Sequence, residues 1–232
     1  MTKLLDRVFV WAGGALFVAA LVLTVWTFAL VWAVPRPWGG WTAVAIDAAM
    51  FTLFAAHHSL FARTRAKAVV SKVVPHPLLR SVYVWIASAL LIAVCVLWMP
   101  IGGALYDVRQ AWLRIVLGIA QLTGVWLIAR SVGAIDALEL AGIRQASAVQ
   151  AGESLQVNGP YRIVRHPLYL GWLLIVFGPA RMTGDRFVFA AITTFYLVIA
   201  IPWEEQSLLE TFGDAYARYK QHVRWKIVPY LY

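Results

Sequence analysis

The stretch MTKLLDRVFVWAGGALFVAALVLTVWTFALVWAV, residues 1–34, decides the class of fold. Its apolar run extends from residue 8 to residue 34, well beyond the roughly 7–15 apolar residues of a secretory signal. No small-residue cleavage site closes this run. Because a transmembrane helix needs about 20 apolar residues, the stretch predicts a membrane span that is retained in the mature protein.

The rest of the chain continues this pattern. Hydrophobic residues make up 62% of the sequence, charged residues 13%, and the mean hydropathy is +0.73, whereas soluble domains carry roughly 25% charged residues. We predict an all-α, polytopic integral membrane protein with a C-terminal helical hairpin and a cytoplasmic amphipathic tail helix. About six transmembrane helices are expected, at residues 8–34, 41–62, 82–100, 111–130, 168–183 and 187–203. Residues 1–232 are expected to form a single membrane domain, with a four-helix part at 1–130 and a cofactor-binding part at 131–232.

Basic residues are distributed unevenly over this predicted topology. With the N-terminus inside, 15 of the 20 Lys and Arg residues fall in cytoplasmic segments. The five on the outer side are Arg36, Arg109, Arg114, Arg181 and Arg186. This asymmetry predicts that both termini lie in the cytoplasm. It also explains the high pI without a nucleic-acid partner, and we predict none.

The stretch NGPYRIVRHPLYLGW, residues 158–172, places two arginines and a histidine before an apolar run. Pro167 suits the first turn of a helix, so His166 is expected at or near its N-cap. A helix N-terminus flanked by Arg162 and Arg165 would attract a carboxylate or phosphate. The alternative is a positively charged membrane anchor with interfacial tyrosines, and composition alone leaves the two readings even.

A second polar feature is the adjacent pair Glu204 and Glu205, which follows Pro202 at the end of the last apolar run. Consecutive helical residues point about 100° apart, so we expect one glutamate to face inward and the other to face solvent or a basic partner. The alternative is an ordinary solvated helix end. Further on, Phe212, Tyr216, Tyr219 and Val223 recur with helical spacing, which predicts one apolar face of the tail helix.

Histidines and an aspartate mark the second predicted span. His57 and His58 are adjacent and therefore do not share a helix face, and no His-x-x-x-His or cysteine cluster is present, so we predict no metal site. A hydrogen-bonded structural role and a role in a pocket both stay open for the two histidines. Asp47 is an ionisable residue within a span and is a functional candidate for that reason, although a protonated structural aspartate is an equal alternative. The single cysteine, Cys95, cannot form an intrachain disulfide.

Taken together, ESLQVNGPYRIVRHPLYLGW and EEQSLLETFGDAYARYKQHV resemble the isoprenylcysteine carboxyl methyltransferase and phospholipid methyltransferase superfamily. The resemblance covers about residues 150–225. The N-terminal half, through LFAAHHSLFAR, PHPLLRSVYVW and LWMP, is similar to methanethiol S-methyltransferases and related nitrite-reductase-accessory membrane proteins.

This resemblance implies S-adenosyl-L-methionine as the cofactor. The residues that it implies for cofactor binding are Ser154, Leu155, Gln156, Tyr161, Arg165, His166, Pro167, Leu168, Tyr169, Glu204 and Glu205. One departure is Ala200, which stands where the isoprenylcysteine enzymes carry a substrate-binding arginine. A prenylcysteine carboxylate would lack its expected partner here.

We therefore expect an S-adenosylmethionine-dependent methyltransferase that acts on a lipophilic small molecule or lipid, with a thiol as the first choice of acceptor. A phospholipid amine or an isoprenylcysteine carboxylate is the alternative acceptor. His166, Glu204 and His58 are the candidate catalytic residues. Two rivals from other classes are an NADPH-dependent membrane reductase and a non-enzymatic membrane accessory protein.

Overall fold

The computed structural model describes residues 2–62, 69–133, 141–143 and 155–232. Its helices, in chain order, are α1 Thr2–Trp26, α2 Gly40–Ala62, α3 Leu79–Leu97, α4 Ala111–Val132, α5 Pro167–Phe177, α6 Gly184–Phe212 and α7 Asp214–His222. Two short strands, β1 Ala104–Asp107 and β2 Arg181–Thr183, pair in one sheet. A π-helical turn, Thr27–Val31, extends α1, and 3-10 turns occur at His76–Leu78 and Gly159–Arg162.

Five helices within the described residues are long and apolar enough to cross a membrane. They correspond to Leu4–Val31, Gly40–Phe61, His76–Leu97, Ala111–Val132 and Gly184–Phe212. Large apolar side chains remain exposed along them, as at Val22 in α1 and Leu122 in α4, which suits contact with lipid tails. The predicted all-α, polytopic class is confirmed, whereas the count of six spans stays a prediction.

The fifth predicted span, 168–183, is wrong at its C-terminal end. Helix α5 has 11 residues and ends at Phe177, because Gly178 and Pro179 follow it and proline cannot continue a helix. Residues Arg181–Thr183 then form β2 against β1. The two strands are also joined by Arg181, which donates two hydrogen bonds to Asp107 Oδ2 at 3.0 and 2.8 Å.

The sixth predicted span, 187–203, is too short. Helix α6 continues through Pro202 to Phe212, so the two glutamates lie inside a helix instead of at its end. The helix is interrupted at Gly213, whose φ of +52° favours glycine. The tail is therefore two helices, yet Phe212 packs against the buried cluster of Tyr216, Tyr219 and Val223, as the apolar spacing indicates.

The described residues fall into two compact units. The first unit contains α1, α2, α3, the loop 98–103 and residues 183–185. In it, α3 packs against both α1 and α2. The second unit contains 104–133, 155–182 and 186–232, and so holds α4, α5, most of α6 and α7.

Two buried aspartates organise the loop of the first unit. Asp185 accepts hydrogen bonds from the indole N–H of Trp98 and the backbone N–H groups of Ile101 and Gly102. Asp47 accepts one from the backbone N–H of Met99 at 2.9 Å. The other Asp47 oxygen has no hydrogen-bond partner among the described residues. Asp47 thus has a structural contact, whereas the functional reading of this residue stays a prediction.

In the second unit, α4 and α5 approach closely at two glycines. A Cβ on Gly124 would lie 2.5 Å from the backbone oxygen of Gly171, and one on Gly171 would lie 2.7 Å from that of Gly124. Small residues at a helix crossing let backbones pack directly, which is a main source of helix association in membranes. This crossing holds α5, and thereby the residues at its N-terminus.

The crossing predicts a specific sensitivity to an added methyl group. Gly124→Ala should destabilise the protein by about 1–3 kcal/mol, the usual cost of overpacking, and lower the midpoint of thermal unfolding in detergent. Gly118→Ala on the same helix is the matched control, because nothing lies within 4 Å of its added Cβ. Equal midpoints for the two variants would contradict this account of the crossing.

Candidate active site

The N-terminus of α5 has the local structure that its sequence indicates. Pro167 is the first helical residue and His166 is the N-cap. The backbone oxygen of His166 accepts hydrogen bonds from the N–H groups of Tyr169 and Leu170. The proline has no N–H to satisfy at this position, so the chain turns into α5 without losing a hydrogen bond. The predicted helix start is confirmed.

Arg165 is buried, and its side chain donates three hydrogen bonds to other parts of the protein. Its Nε donates to Glu205 Oε1 at 2.7 Å, and one terminal nitrogen donates to the backbone oxygens of Val223 and Arg224, both at 2.8 Å. Its backbone N–H also donates to Trp225 O. The guanidinium therefore links the start of α5 to the segment after α7. This role of Arg165 is neither of the two that the sequence suggests, an anion-binding site or a positively charged membrane anchor.

Glu205 is the buried centre of this network. Its side chain is only 7% exposed and lies within ion-pair distance of three basic groups. Arg165 Nε is at 2.7 Å, Lys220 Nζ at 3.1 Å and His166 Nε2 at 3.4 Å. A buried carboxylate needs such partners to offset its desolvation. Its bonding capacity is thereby largely used within the protein.

Glu204 has a different environment. Its side chain is 43% exposed, and one oxygen accepts a hydrogen bond from the Tyr169 hydroxyl at 2.5 Å. The same oxygen lies 3.6 Å from Nδ1 of His166. The imidazole of His166 stacks on Tyr169 at 5.2 Å with an interplanar angle of 9°. One glutamate thus faces inward and one outward, as the helical geometry predicts.

Tyrosines form the neighbouring wall. The Tyr219 hydroxyl donates to the backbone oxygen of Tyr161 at 2.8 Å, which joins α7 to the Gly159–Arg162 turn. Burial raises the pKa of Tyr161, Tyr216 and Tyr219, so these phenols stay protonated at neutral pH. The hydroxyl of Tyr216, a residue that is 1% exposed, has no hydrogen-bond partner within the described part of the chain.

The structure brings most of the predicted site residues together and separates others. Arg165, His166, Tyr169, Glu204 and Glu205 form one connected group. Around this group, Pro167 is buried, Leu168 and Leu155 are half-buried, and Gln156 is exposed. Arg162 is exposed and donates to Asn158 Oδ1.

Two predicted residues are not among the described members of this group. Ser154 falls outside the described residues. His58 belongs to the first unit, where its Nδ1 forms a hydrogen bond with the Tyr83 hydroxyl at 2.5 Å. Its proposed catalytic role therefore has no support from the connected group in the second unit.

Sequence reasoning missed Lys220 as part of the network. This lysine is four residues after Tyr216 in α7, and its Nζ lies 5.9 Å from the centre of the Tyr216 ring. The available signal was its position beside the apolar face of the tail. A lone basic residue at the edge of such a face is common, so the pairing with Glu205 depends on how α6 and α7 fold together.

Comparison with known proteins gives consistent matches. The profile of the phospholipid methyltransferase family matches residues 113–215. The chain is 34% identical to methanethiol S-methyltransferase of Pseudomonas deceptionensis over 193 residues, which cover 81% of this chain and 74% of the relative. It is 32% identical to the Mycobacterium tuberculosis protein of the same name over 186 residues, covering 78% and 76%. The chain belongs to the methanethiol S-methyltransferase family.

Two further comparisons show how much of other relatives the similarity covers. The chain is 34% identical to methanethiol S-methyltransferase 1 of Bradyrhizobium diazoefficiens over 186 residues, but it spans only 65% of that relative's length. Nurim of Xenopus laevis is 33% identical over 168 residues, covering 66% of this chain and 58% of nurim. No solved structure gives a significant match. The family of the chain is thus established as one of membrane methyltransferases.

The contrast between the two glutamates predicts opposite effects on stability. Glu205→Ala should destabilise the protein by about 3–5 kcal/mol, because it leaves buried Arg165 without its carboxylate. Glu204→Ala, the matched control, removes an exposed group and should change stability little. Unfolding midpoints in detergent, measured by heat or by added dodecyl sulfate, test this difference. A similar loss in both variants would contradict the assignment of Glu205 as the structural centre.

Proposed function

We propose that the protein transfers a methyl group from S-adenosylmethionine to a small lipophilic thiol at the membrane. The observation that carries this proposal is the match to methanethiol S-methyltransferases over about four fifths of the chain. These relatives are named for methyl transfer to a thiol. The connected group at the start of α5 and on α6 gives separate support, because it brings charged and aromatic side chains together. The coarser assignment, a membrane methyltransferase, follows from the family itself.

The residues around Glu204 fit the cofactor chemically. S-adenosylmethionine carries an ammonium, a sulfonium and ribose hydroxyl groups. The exposed Glu204 carboxylate suits the ammonium or the hydroxyls, and it retains acceptor capacity beyond its bond to Tyr169. Aromatic faces at Tyr161 and Tyr169 suit a cation. The unpartnered, buried Tyr216 hydroxyl marks a further polar position beside the glutamates.

We assign cofactor contacts to Tyr161, His166, Leu168, Tyr169 and Glu204, with Leu155 and Gln156 on the adjoining segment. When bound, S-adenosylmethionine supplies an electrophilic methyl group. We assign Arg165 and Glu205 a positioning role, because Arg165 Nε and Nη1 and both Glu205 oxygens are already bonded to the protein. Ser154 stays in the proposed set on the resemblance alone.

The protein's own contribution is to fix the geometry of the site and to exclude water. Both ring nitrogens of His166 lie near carboxylates, at 3.6 Å from Glu204 and 3.4 Å from Glu205. The imidazole thus lies between the two glutamates. We therefore propose that His166 positions Glu204 and does not abstract a proton. The acceptor must react as a thiolate, the competent nucleophile. Correct placement of reactants can supply much of the rate of such a transfer.

A second candidate acceptor is the amine of a phospholipid headgroup. The specific observation that favours it is the match of the phospholipid methyltransferase profile to residues 113–215. The thiol takes precedence because the thiol-methylating relatives match a much larger share of the chain. We further propose that the site and both termini face the cytoplasm of a bacterial inner membrane, on the 15-to-5 asymmetry of basic residues.

Cofactor binding gives the first test of the proposal. Glu204→Ala should weaken binding of S-adenosylhomocysteine to the purified protein by about 10–100-fold, the loss expected for a hydrogen bond to a charged group. Gln206→Ala is the control, since Gln206 is exposed on the same helix and bonds to Glu210. Isothermal titration in detergent measures both affinities. Absence of binding in the parent protein would refute the assigned cofactor.

The acceptor requires a product assay. With labelled methyl donor, methanethiol should give dimethyl sulfide in the headspace, whereas phosphatidylethanolamine vesicles should give little labelled lipid. Tyr169→Phe should lower the rate at least several-fold, because Glu204 loses its 2.5 Å hydrogen bond. Labelled lipid without labelled sulfide would establish the second candidate. An unchanged rate of methyl transfer in Tyr169→Phe would contradict the role assigned to this tyrosine.

A further inference from the structure

The segment after α7, residues 223–232, packs against the start of α5, and both lie within the second unit. The backbone N–H groups of Arg165 and His166 donate to the oxygens of Trp225 and Lys226 at 2.9 and 2.8 Å. Helix α5 is apolar along its length, so its first turn marks the level at which the chain enters the hydrocarbon layer. The segment is therefore fixed close to the boundary between membrane and water.

The tip of this segment exposes two large apolar side chains. Tyr230 is 87% exposed and Leu231 is 80% exposed. Trp225 packs against the ring of Tyr230, with ring centres 5.3 Å apart. The backbone of Tyr230 has a φ of +65°, which is uncommon for a bulky residue, and the backbone N–H of Lys226 closes the turn onto the oxygen of Tyr232 at 2.8 Å. The turn thereby holds the apolar tip away from the protein.

Positive charge surrounds this apolar tip. Residues 215–232 contain four basic residues and no acidic one. The basic residues are Arg218, Lys220, Arg224 and Lys226. Arg218 and Arg224 are exposed. The ammonium of Lys226 lies 4.4 Å from the centre of the Tyr232 ring, and it retains donors beyond its bond to the Tyr232 hydroxyl. Exposed aromatic and basic side chains together suit the headgroup layer of an anionic bilayer.

We propose that Tyr230 and Leu231 insert among the lipids at the membrane surface, while Arg224 and Lys226 bind the phosphate groups of anionic lipids. The apolar tip needs a partner without water, and the basic rim needs a partner with negative charge. A bilayer that contains phosphatidylglycerol supplies both. A second copy of this chain would bring the same basic rim against itself, and like charges in contact oppose association. Because the segment also holds the start of α5, the lipid contact supports that region of the protein.

The depth of the apolar tip gives the first measurement. A nitroxide label on Leu231→Cys, in nanodiscs of phosphatidylcholine and phosphatidylglycerol, should collide more with dissolved oxygen than with a water-soluble nickel chelate. A label on Gln221→Cys, at an exposed position of α7, is the matched control and should show the reverse. The parent protein, whose Cys95 is buried, gives the background labelling. Equal accessibility of the two labelled sites to the chelate would overturn the proposal.

Stability in detergent tests the basic rim. Phosphatidylglycerol should raise the midpoint of thermal unfolding by about 2–4 °C more than an equal amount of phosphatidylcholine, because a ligand of the native state stabilises it. Arg224→Gln combined with Lys226→Gln should lose most of this difference. Each variant is compared with its own midpoint without lipid, so a change in basal stability does not enter. Arg109→Gln, at an exposed position on the predicted outer side, is the control and should retain the difference.

An unchanged preference for phosphatidylglycerol in the double variant would overturn the proposal. If the double variant fails to fold, Arg224→Gln alone takes its place and should lose a measurable part of the preference. Glycerol phosphate at the same concentration should leave the midpoint of the parent protein unchanged. A shift equal to that of the lipid would assign a site for free anions and overturn the lipid contact.

A second copy of the chain is tested with the same label. Dipolar broadening of the signal from Leu231→Cys, removed by dilution with unlabelled protein, would place another copy at the tip and overturn the proposal. No broadening is expected. None of these measurements involves methyl transfer or cofactor binding, so their outcomes are independent of the proposed function.

Discussion

The buried carboxylate of Glu205 is the interaction on which the candidate site depends. It lies on α6 and meets Arg165 and His166 from the entry of α5 and Lys220 from α7. A carboxylate with so little exposure is tolerated only when basic groups surround it. The entry of α5 is therefore held against the two consecutive helices α6 and α7 in one arrangement. The position of His166, and of the stacked Tyr169, follows from that arrangement.

Adjacent positions on α6 have separate tasks for a simple geometric reason. Residues next to each other on a helix point about 100° apart, so Glu205 can face the packed interior while Glu204 faces outward. The inner glutamate gives rigidity, and the outer one keeps bonding capacity for a ligand. Sites that bind charged molecules need both properties, since an orienting group must itself be held in place.

Much of this architecture follows from the sequence because the bilayer restricts what an apolar stretch can do. Four long spans and the start of α5 at Pro167 were predictable from run length and proline placement. The end of α5 was not, because Arg181–Thr183 pairs with a strand some 75 residues earlier along the chain, as the Arg181–Asp107 contact shows. The role of Arg165 was also hidden, since its partners lie 40 and 58 residues away.

The contacts of Arg165 beyond Glu205 have a consequence for how the chain can vary. Its guanidinium binds the main-chain oxygens of Val223 and Arg224, and the N–H of His166 binds that of Lys226. Every amino acid carries such an oxygen, so these three contacts do not themselves restrict the side chains at these positions. Insertion or deletion of one residue between Tyr219 and Val223 would shift all three oxygens relative to α7. The site therefore restricts the length of this segment.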